Sequence, residues 1–339
     1  MRNIDLETLE LSRLLAAIAQ HAASPAGAEG CLARRPLLQR SAVESELLRV
    51  VEARAASEEE RAPLGSFPDI RPILGSARTE GFILEAERCL EVVSILAVVR
   101  QMQAWLRHRS AGKPRLLAAS QSLYTLPALS ELLDRCLDPD GGLRDDASPE
   151  LRRIRRRLRT LRSGLEARLG RLLQKSAHET TFADQFVTVR NGRFVVPVRA
   201  SAASNLPGIV QDRSSSGETI FVEPLSSVED NNQLLLAVRE ELEEEARILA
   251  AITQEIGRNA DALGTNLETL IDLDGLFARV AFARVHDGIC PRISDREISL
   301  VQARHPLLVM TSRTVTPVDI ALAEDIDLLV ITGPNTGGK

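Results

Sequence analysis

The sequence predicts a mainly α protein in four parts: a helical core, a long antiparallel pair of helices, a small antiparallel β module at the tip of that pair, and the opening of an α/β phosphate-loop domain. Two long segments of helical periodicity, one basic and one acidic on its outer faces, flank the only dense β region. The last stretch is an apolar run followed by glycines and a lysine. Leu, Ala, Arg and Glu dominate while aromatics make up only 3% of residues, a mix that favours long helices over a β-sandwich.

At 339 residues and 44% apolar content the chain can build two or three domains with real cores. A net charge of -5 excludes a wholly basic nucleic-acid binder, so any nucleic-acid face is local. Cys31, Cys89, Cys136 and Cys290 are scattered without a C-x-x-C, which signals neither zinc nor disulfides and fits reduced thiols in the cytoplasm. The charged N-terminus lacks the apolar core of a signal peptide, and no run of about eighteen apolar residues predicts a membrane span.

Residues 1–147 read as the helical core. Leu6, Leu9, Leu11, Leu14, Leu15 and Ile18 recur at helical spacing, and Pro25 and Pro36 punctuate the following turns. Leu47, Leu48, Val50 and Val51 mark another amphipathic helix, and Leu90 to Trp105 is apolar enough to be the central buried one. His21, His108 and His178 have no ligand partner four residues on and read as structural or solvated.

Residues 148–182 form the first long helix. Ser148 is its N-cap, Pro149 occupies the first helical position and Glu150 suits the positive helix end. Leu151, Ile154, Leu158, Leu161, Leu165, Leu169 and Leu172 make a heptad-like seam, while Arg152, Arg153, Arg155, Arg156, Arg157, Arg159, Arg162, Arg168, Arg171 and Lys175 cover the other faces. At 1.5 Å per residue the helix is about 40 Å long. Its partner is residues 227–262, where Leu235, Val238, Leu242, Leu249, Ile252 and Ile256 continue a similar seam and Glu240, Glu241, Glu243, Glu244 and Glu245 are acidic. Basic out and acidic back predicts antiparallel pairing.

Between them, residues 183–226 are β. Phe186 to Arg199 folds around Asn191-Gly192, the strongest short hairpin signal, and Gly208 to Glu223 turns near Ser216-Gly217. These turns carry Arg190, Arg193, Arg199 and Arg213, with Ser214 and Ser215 beside them. Arginines, hydroxyls and turn amides suit phosphate contact without base reading; the competing reading is surface solubility.

Residues 263–294 return as helix to the core, and residues 295–339 open an α/β domain. Leu328 to Ile331 reads as a buried strand. Gly333, Pro334, Asn335, Thr336, Gly337, Gly338 and Lys339 then match G-x-x-x-x-G-K, whose amides cradle phosphates while the lysine reaches the terminal ones. The sequence ends at Lys339, before the Ser/Thr that would bind Mg²⁺, so no ATP hydrolysis is expected of this stretch alone and no catalytic residue is assigned within it.

Ala303-Arg-His-Pro-Leu307, followed by Ile331 to Lys339, resembles the ATPase entry of the MutS proteins. Arg190 to Val198 and Asp212 to Pro224 resemble the second branch of that family, the recombination suppressors. The resemblance implies a core, a lever, a clamp and a truncated ATPase domain that uses ATP and Mg²⁺. It implies homodimers paired through the ATPase domain, with clamps closing on duplex or branched DNA without sequence preference, and suppression of homologous recombination. Some members act instead on collided ribosomes, so the ribosome is the alternative partner; a structural scaffold with a vestigial loop is the third reading. A nuclease module at the C-terminus of such proteins would lie outside this sequence. Val315 and Val318 depart from the family's adenine-stacking pattern. Phe221-Val-Glu223 spells the Phe-x-Glu of mismatch readers but falls on a clamp strand, where it reads as coincidence; with the helical body starting at the N-terminus, mismatch repair is disfavoured.

Overall fold

The computed structural model describes residues 7–175, 181–311, 314–326 and 328–330. In chain order the helices are α1 (Leu11–Ala19), α2 (Pro25–Leu32), α3 (Arg40–Ala56), α4 (Arg71–Ala77), α5 (Ala86–Arg109), α6 (Pro114–Gln121), α7 (Pro127–Cys136), α8 (Pro149–Lys175), α9 (Val228–Arg258), α10 (Ala260–Val285) and α11 (Pro306–Thr311). The strands are β1 (Thr188–Arg190), β2 (Arg193–Arg199), β3 (Gly208–Arg213), β4 (Thr219–Pro224), β5 (Ile298–Ala303) and β6 (Val318–Leu322). The chain divides into two compact units, one of Met1–Leu74, Glu91–Pro127 and Asn259–Lys339, the other of Gly75–Leu90 and Ala128–Arg258.

In the first unit α10 packs on α1, α2 and α3. The junction is polar at one point. Ser24 caps α2 by accepting from the Gly27 amide, and the buried Asp274 carboxylate accepts from the Ser24 hydroxyl and from the Ala23 and Ser24 amides. A buried carboxylate is tolerable because these three donors satisfy it. A Cβ on Gly27 would lie 2.0 Å from Asp274 Oδ2, so glycine is the residue that lets helix and carboxylate meet. By length and composition alone α5 could cross a membrane, but its Val92, Ile95, Val99, Met102 and Leu106 are buried inside the protein and Trp105 meets the Phe277 ring edge-on at 5.6 Å.

Glu46 on α3 binds Arg34, Arg49 and Arg279, and Arg49 also pairs with Asp272. Burial pushes the Glu46 carboxyl up, but the Arg279 hydrogen bond and the three guanidinium charges outweigh it and hold it below its ordinary value. Burial pulls the Arg279 guanidinium down.

β5 and β6 form an antiparallel two-stranded ribbon in this unit. Leu328–Val330, expected as the strand before the phosphate loop, has no strand pairing and is exposed. A buried parallel strand needs neighbours on its edges and cover on both faces, and among the described residues the ribbon supplies neither to this segment. Ile331 and the phosphate-loop residues Gly333 to Lys339 lie outside the described residues.

In the second unit α8 and α9 run antiparallel. Partners on α9 fall in number as those on α8 rise: Arg155 with Glu241 and Glu245, Arg157 with Glu240, Arg168 with Asp230, while Ser148, just before α8, meets Glu244. Leu151, Ile154, Leu158, Leu165 and Leu169 are buried as their spacing requires, with Leu173 rather than Leu172 completing the stripe. The α9 seam meets the sequence expectation at Ile252 and Ile256 and differs from it toward the helix start. Its buried stripe is Asn231, Leu234, Ala237, Glu244, Ile248, Ile252 and Ile256, while Leu235 and Leu242 are exposed. α9 carries two apolar stripes about 100° apart, and periodicity alone does not say which one α8 takes.

Candidate nucleic-acid interface

The four-stranded sheet has the order β1-β2-β4-β3, every pair antiparallel. The two sequence-predicted hairpins are therefore joined through β2 and β4. Asn191 and Gly192 both have positive φ, 48° and 73°, as a two-residue hairpin turn requires. Gly217, at φ 74°, closes the β3–β4 turn.

One sheet face, Phe194, Val196, Val198, Ile220 and Val222, merges into a single hydrophobic cluster with Leu158, Leu165 and Leu169 of α8 and with Leu234 and Ala237 of α9. The alternate residues Val195, Phe221 and Glu223 are also buried. The reason is curling. Asn191 Nδ2, at the β1–β2 turn, donates to Gln211 O on the opposite edge strand at 2.9 Å. Arg190 Nε meets Asp212 Oδ2 of that same strand at 3.3 Å and lies 4.3 Å above the Phe221 ring. The two edges thus approach each other across the second face, which blunts both as pairing templates.

Inside the curl sits the fully buried Glu223 carboxylate. It accepts from Arg193 Nη1 at 2.7 Å, Asn231 Nδ2 at 2.9 Å and Gln211 Nε2 at 2.7 Å. Arg193 Nη2 also reaches Asn232, and Asn231 both accepts from the Phe194 amide and donates to its carbonyl. This network ties β2, β3 and β4 to the first turn of α9.

The sequence-predicted arginines separate accordingly. Arg193 is spent on Glu223, and Arg190 on Asp212, Phe221, Thr188 Oγ1 and Val189 O. Arg199 is exposed, with Nε donating to Phe182 O at 3.3 Å. Arg213 is exposed, and among the described residues its guanidinium has no partner. Ser214 Oγ is absorbed by its own turn, accepting from the Thr219 amide and facing Ser216 Oγ, whereas Ser215 is exposed. Arg213, Ser215 and Arg199 are what this end of the module offers an external phosphate. Phe221 and Glu223, buried, are not available as a duplex wedge. Sequence reasoning missed Gln211, Asp212, Asn231 and Asn232; only the burial of Glu223 reveals why those polar residues stand there.

The basic face of α8 is largely neutralised. Arg155 meets Asp145, Glu241 and Glu245; burial pulls its pKa down, and the three carboxylate bonds more than restore it. Hydrogen bonds from Arg159 and then Arg155 hold Asp145 below its usual range. Among the described residues no group of three His, Cys, Asp or Glu side chains could hold a metal.

No family model matches the chain. It is 38% identical over 339 residues to a curated protein named Endonuclease MutS2 from Bacillus velezensis, covering 98% of this chain and 43% of that relative. A protein of the same name from Pelotomaculum thermopropionicum is 35% identical over 336 residues, 98% of this chain and 42% of the relative. One from Aquifex aeolicus is 33% identical over 341 residues, 100% of this chain and 44% of the relative. Likeness along the whole chain, helical core and β module alike, is likeness to proteins of the MutS class. The chain belongs to the MutS2 family. It spans less than half the length of the curated relatives it matches.

Proposed function

We propose that this chain is the DNA-gripping part of a MutS2-type ATPase, with the β module acting as a clamp on duplex or branched DNA and the α8–α9 pair as the lever that carries it. The observation that carries the reading is the likeness, along the whole of this chain, to proteins named Endonuclease MutS2, joined to an exposed Arg213, unpartnered among the described residues, beside Arg199 and Ser215. Phosphate contacts of this kind give affinity without sequence preference. In the whole protein, Gly333 to Lys339 would bind the phosphates of ATP with Mg²⁺, ATP would control the clamp, and two copies would pair through the phosphate-loop domain. Suppression of homologous recombination is the biological output proposed, and the strand cleavage that the relatives' name implies would belong to the same whole protein. The test is equilibrium binding of duplexes of unrelated sequence and of branched DNA across a salt series. Equal affinity for all duplexes, falling linearly as log K against log salt, supports the reading; absence of binding, or affinity indifferent to salt, refutes it.

A further inference from the structure

β3 carries one residue more than its pairing with β4 needs. Val210 stands opposite Val222 and Asp212 opposite Phe221, so Gln211 is extra and the register shifts by one at that point. Two successive residues set against one partner residue make a β-bulge. Both side chains turn into the curl. Gln211 Nε2 donates to Glu223 Oε2 at 2.7 Å, and Asp212 Oδ2 meets Arg190 Nε at 3.3 Å. Asn191 Nδ2 holds Gln211 a second time, through its carbonyl, at 2.9 Å. The extra residue is thus fastened by side chain and by backbone, and the side-chain anchor is a fully buried carboxylate.

The bulge decides which side of the sheet the rest of β3 takes, because side chains alternate along a strand and a one-residue slip exchanges the two faces. As it stands, Arg213 lies opposite Ile220, on the side that faces the helices, and is exposed on an edge strand. In a straight ladder continued from Val210, Gln211 would take Phe221, Asp212 would take Ile220 and Arg213 would take Thr219. Asp212 would then leave Arg190. Arg213 would join Arg190, Arg193 and Arg199 on the curl side, since Arg199 is itself opposite Thr219. The bulge therefore keeps one cation apart from three others and keeps a carboxylate among those three. That arrangement leaves Arg213 without a partner among the described residues.

We infer that Gln211 is the positioning residue of the phosphate grip: pinned on Glu223, it makes the bulge that sets Arg213 on the helix side of the sheet, free for a phosphate. The inference rests on the proposed DNA grip of the β module and adds the residue that aims its contact. Gln211 acts through Arg213 and does not itself meet the nucleic acid.

The test is a double-mutant cycle on a labelled DNA duplex, read as the slope of log K against log salt, with thermal melts beside it. In the parent chain, Arg213→Gln should lower the slope by about 0.9. Gln211→Leu keeps the bulk and removes the amide that pins the bulge. In that background Arg213→Gln should lower the slope by less than about half as much. A merely structural role for Gln211 would shift affinity or melting temperature and leave the Arg213 increment whole. Deletion of Gln211 removes the extra residue itself and leaves Asp212 opposite Phe221 and Arg213 opposite Ile220, so there the full increment should return. An equal slope change in the parent and in Gln211→Leu overturns the inference while leaving the DNA grip standing. So does loss of the increment in the deletion chain, which decides the matter if Gln211→Leu does not melt cooperatively. If Arg213→Gln leaves the parent's slope unchanged, the proposed grip fails first, and this inference with it.

Discussion

Arg193 donates to Glu223 at 2.7 Å, the carboxylate fully buried and the guanidinium mostly so. The pair decides what the β module is for internally and what it leaves over for a ligand. A charge-charge pair removed from water contributes little net stability while whole, yet its disruption is costly because one buried charge is left alone.

Arg193→Ala should therefore destabilise the second unit by roughly 3 kcal/mol. Glu223→Gln, which keeps the shape and most of the hydrogen bonds, should cost less. Urea denaturation followed by far-ultraviolet circular dichroism, beside hydrogen exchange of the β-module amides, checks both. A change below about 0.5 kcal/mol for Arg193→Ala, the level expected of a surface position, would mean that the pair is not held as described.

Arg155 and Arg156 are neighbours with opposite expectations. Arg155 joins Asp145, Glu241 and Glu245, while Arg156 is exposed and, among the described residues, unpaired. Arg155→Ala should cost about 1–2 kcal/mol, more than an isolated surface pair because three carboxylates share one guanidinium. Arg156→Ala should fall within about 0.5 kcal/mol of the parent. Denaturant midpoints of the two single variants make the comparison.

Much of this is legible in the sequence because it is local. Ser148 caps α8 through the Leu151 amide, as Ser-Pro-Glu announces, and Asn191-Gly192 makes its turn where the dipeptide stands. What stays hidden depends on distant partners. Periodicity assigns the α9 seam to Leu235 and Leu242 because both stripes have helical spacing, and only the packing of α8 chooses between them. Glu244 belongs by sequence to an acidic outer face, yet it is buried and accepts from Ser148 and Arg247. Arg190 and Arg193 look like surface arginines on a turn until the sheet curls and brings Asp212 and Glu223 to them. Leu328 to Val330 has the apolar run of a buried strand without, among the described residues, the neighbours that would make it one.

Ser148 serves two helices at once, accepting from the Leu151 amide and donating to Glu244 Oε1 at 2.6 Å. Ser148→Ala removes the cap and one donor to a buried carboxylate together. A loss of about 1–2 kcal/mol is expected, and Ser148→Asp should restore less than a simple cap would, because it faces Glu244 with a second negative charge. Thermal melts of both variants test the order.

Acid should loosen both units through depressed carboxylates. The hydrogen bonds from Arg247 hold Glu244 low, and Arg279 with its neighbours holds Glu46 low against its burial. A depressed folded-state value contributes stability above the ordinary carboxylate pKa of about 4.3, and that stability is lost as pH falls through the folded value. Melting temperature should be flat from neutral pH down to about pH 5 and then drop. Glu46→Gln should melt lower at neutral pH, by roughly 2 kcal/mol of stability, and show a shallower acid drop. An equally steep drop in Glu46→Gln would remove Glu46 from the cause.

The sharpest prediction concerns which arginines a nucleic acid feels. Arg213 and Arg199 are exposed at the β module, whereas Arg193 is locked to Glu223 and Arg190 is held between Asp212 and Phe221. If the module grips phosphates, removing one arginine–phosphate pair on duplex DNA lowers the slope of log K against log salt by about 0.9. Arg213→Glu and Arg199→Glu should each weaken binding to every sequence alike and reduce the slope, with the melting temperature unchanged. Arg193→Glu should do the reverse, collapsing the module's stability because two carboxylates then share one buried site. Substitution of Arg156, on the solvent face of α8, should leave the slope within error if the module is the DNA-facing surface. Fluorescence anisotropy with a labelled duplex at four or more salt concentrations, run beside thermal melts, separates these outcomes. An unchanged slope in Arg213→Glu and Arg199→Glu, with a reduced slope in the Arg156 variant instead, would move the phosphate-binding surface from the β module to α8.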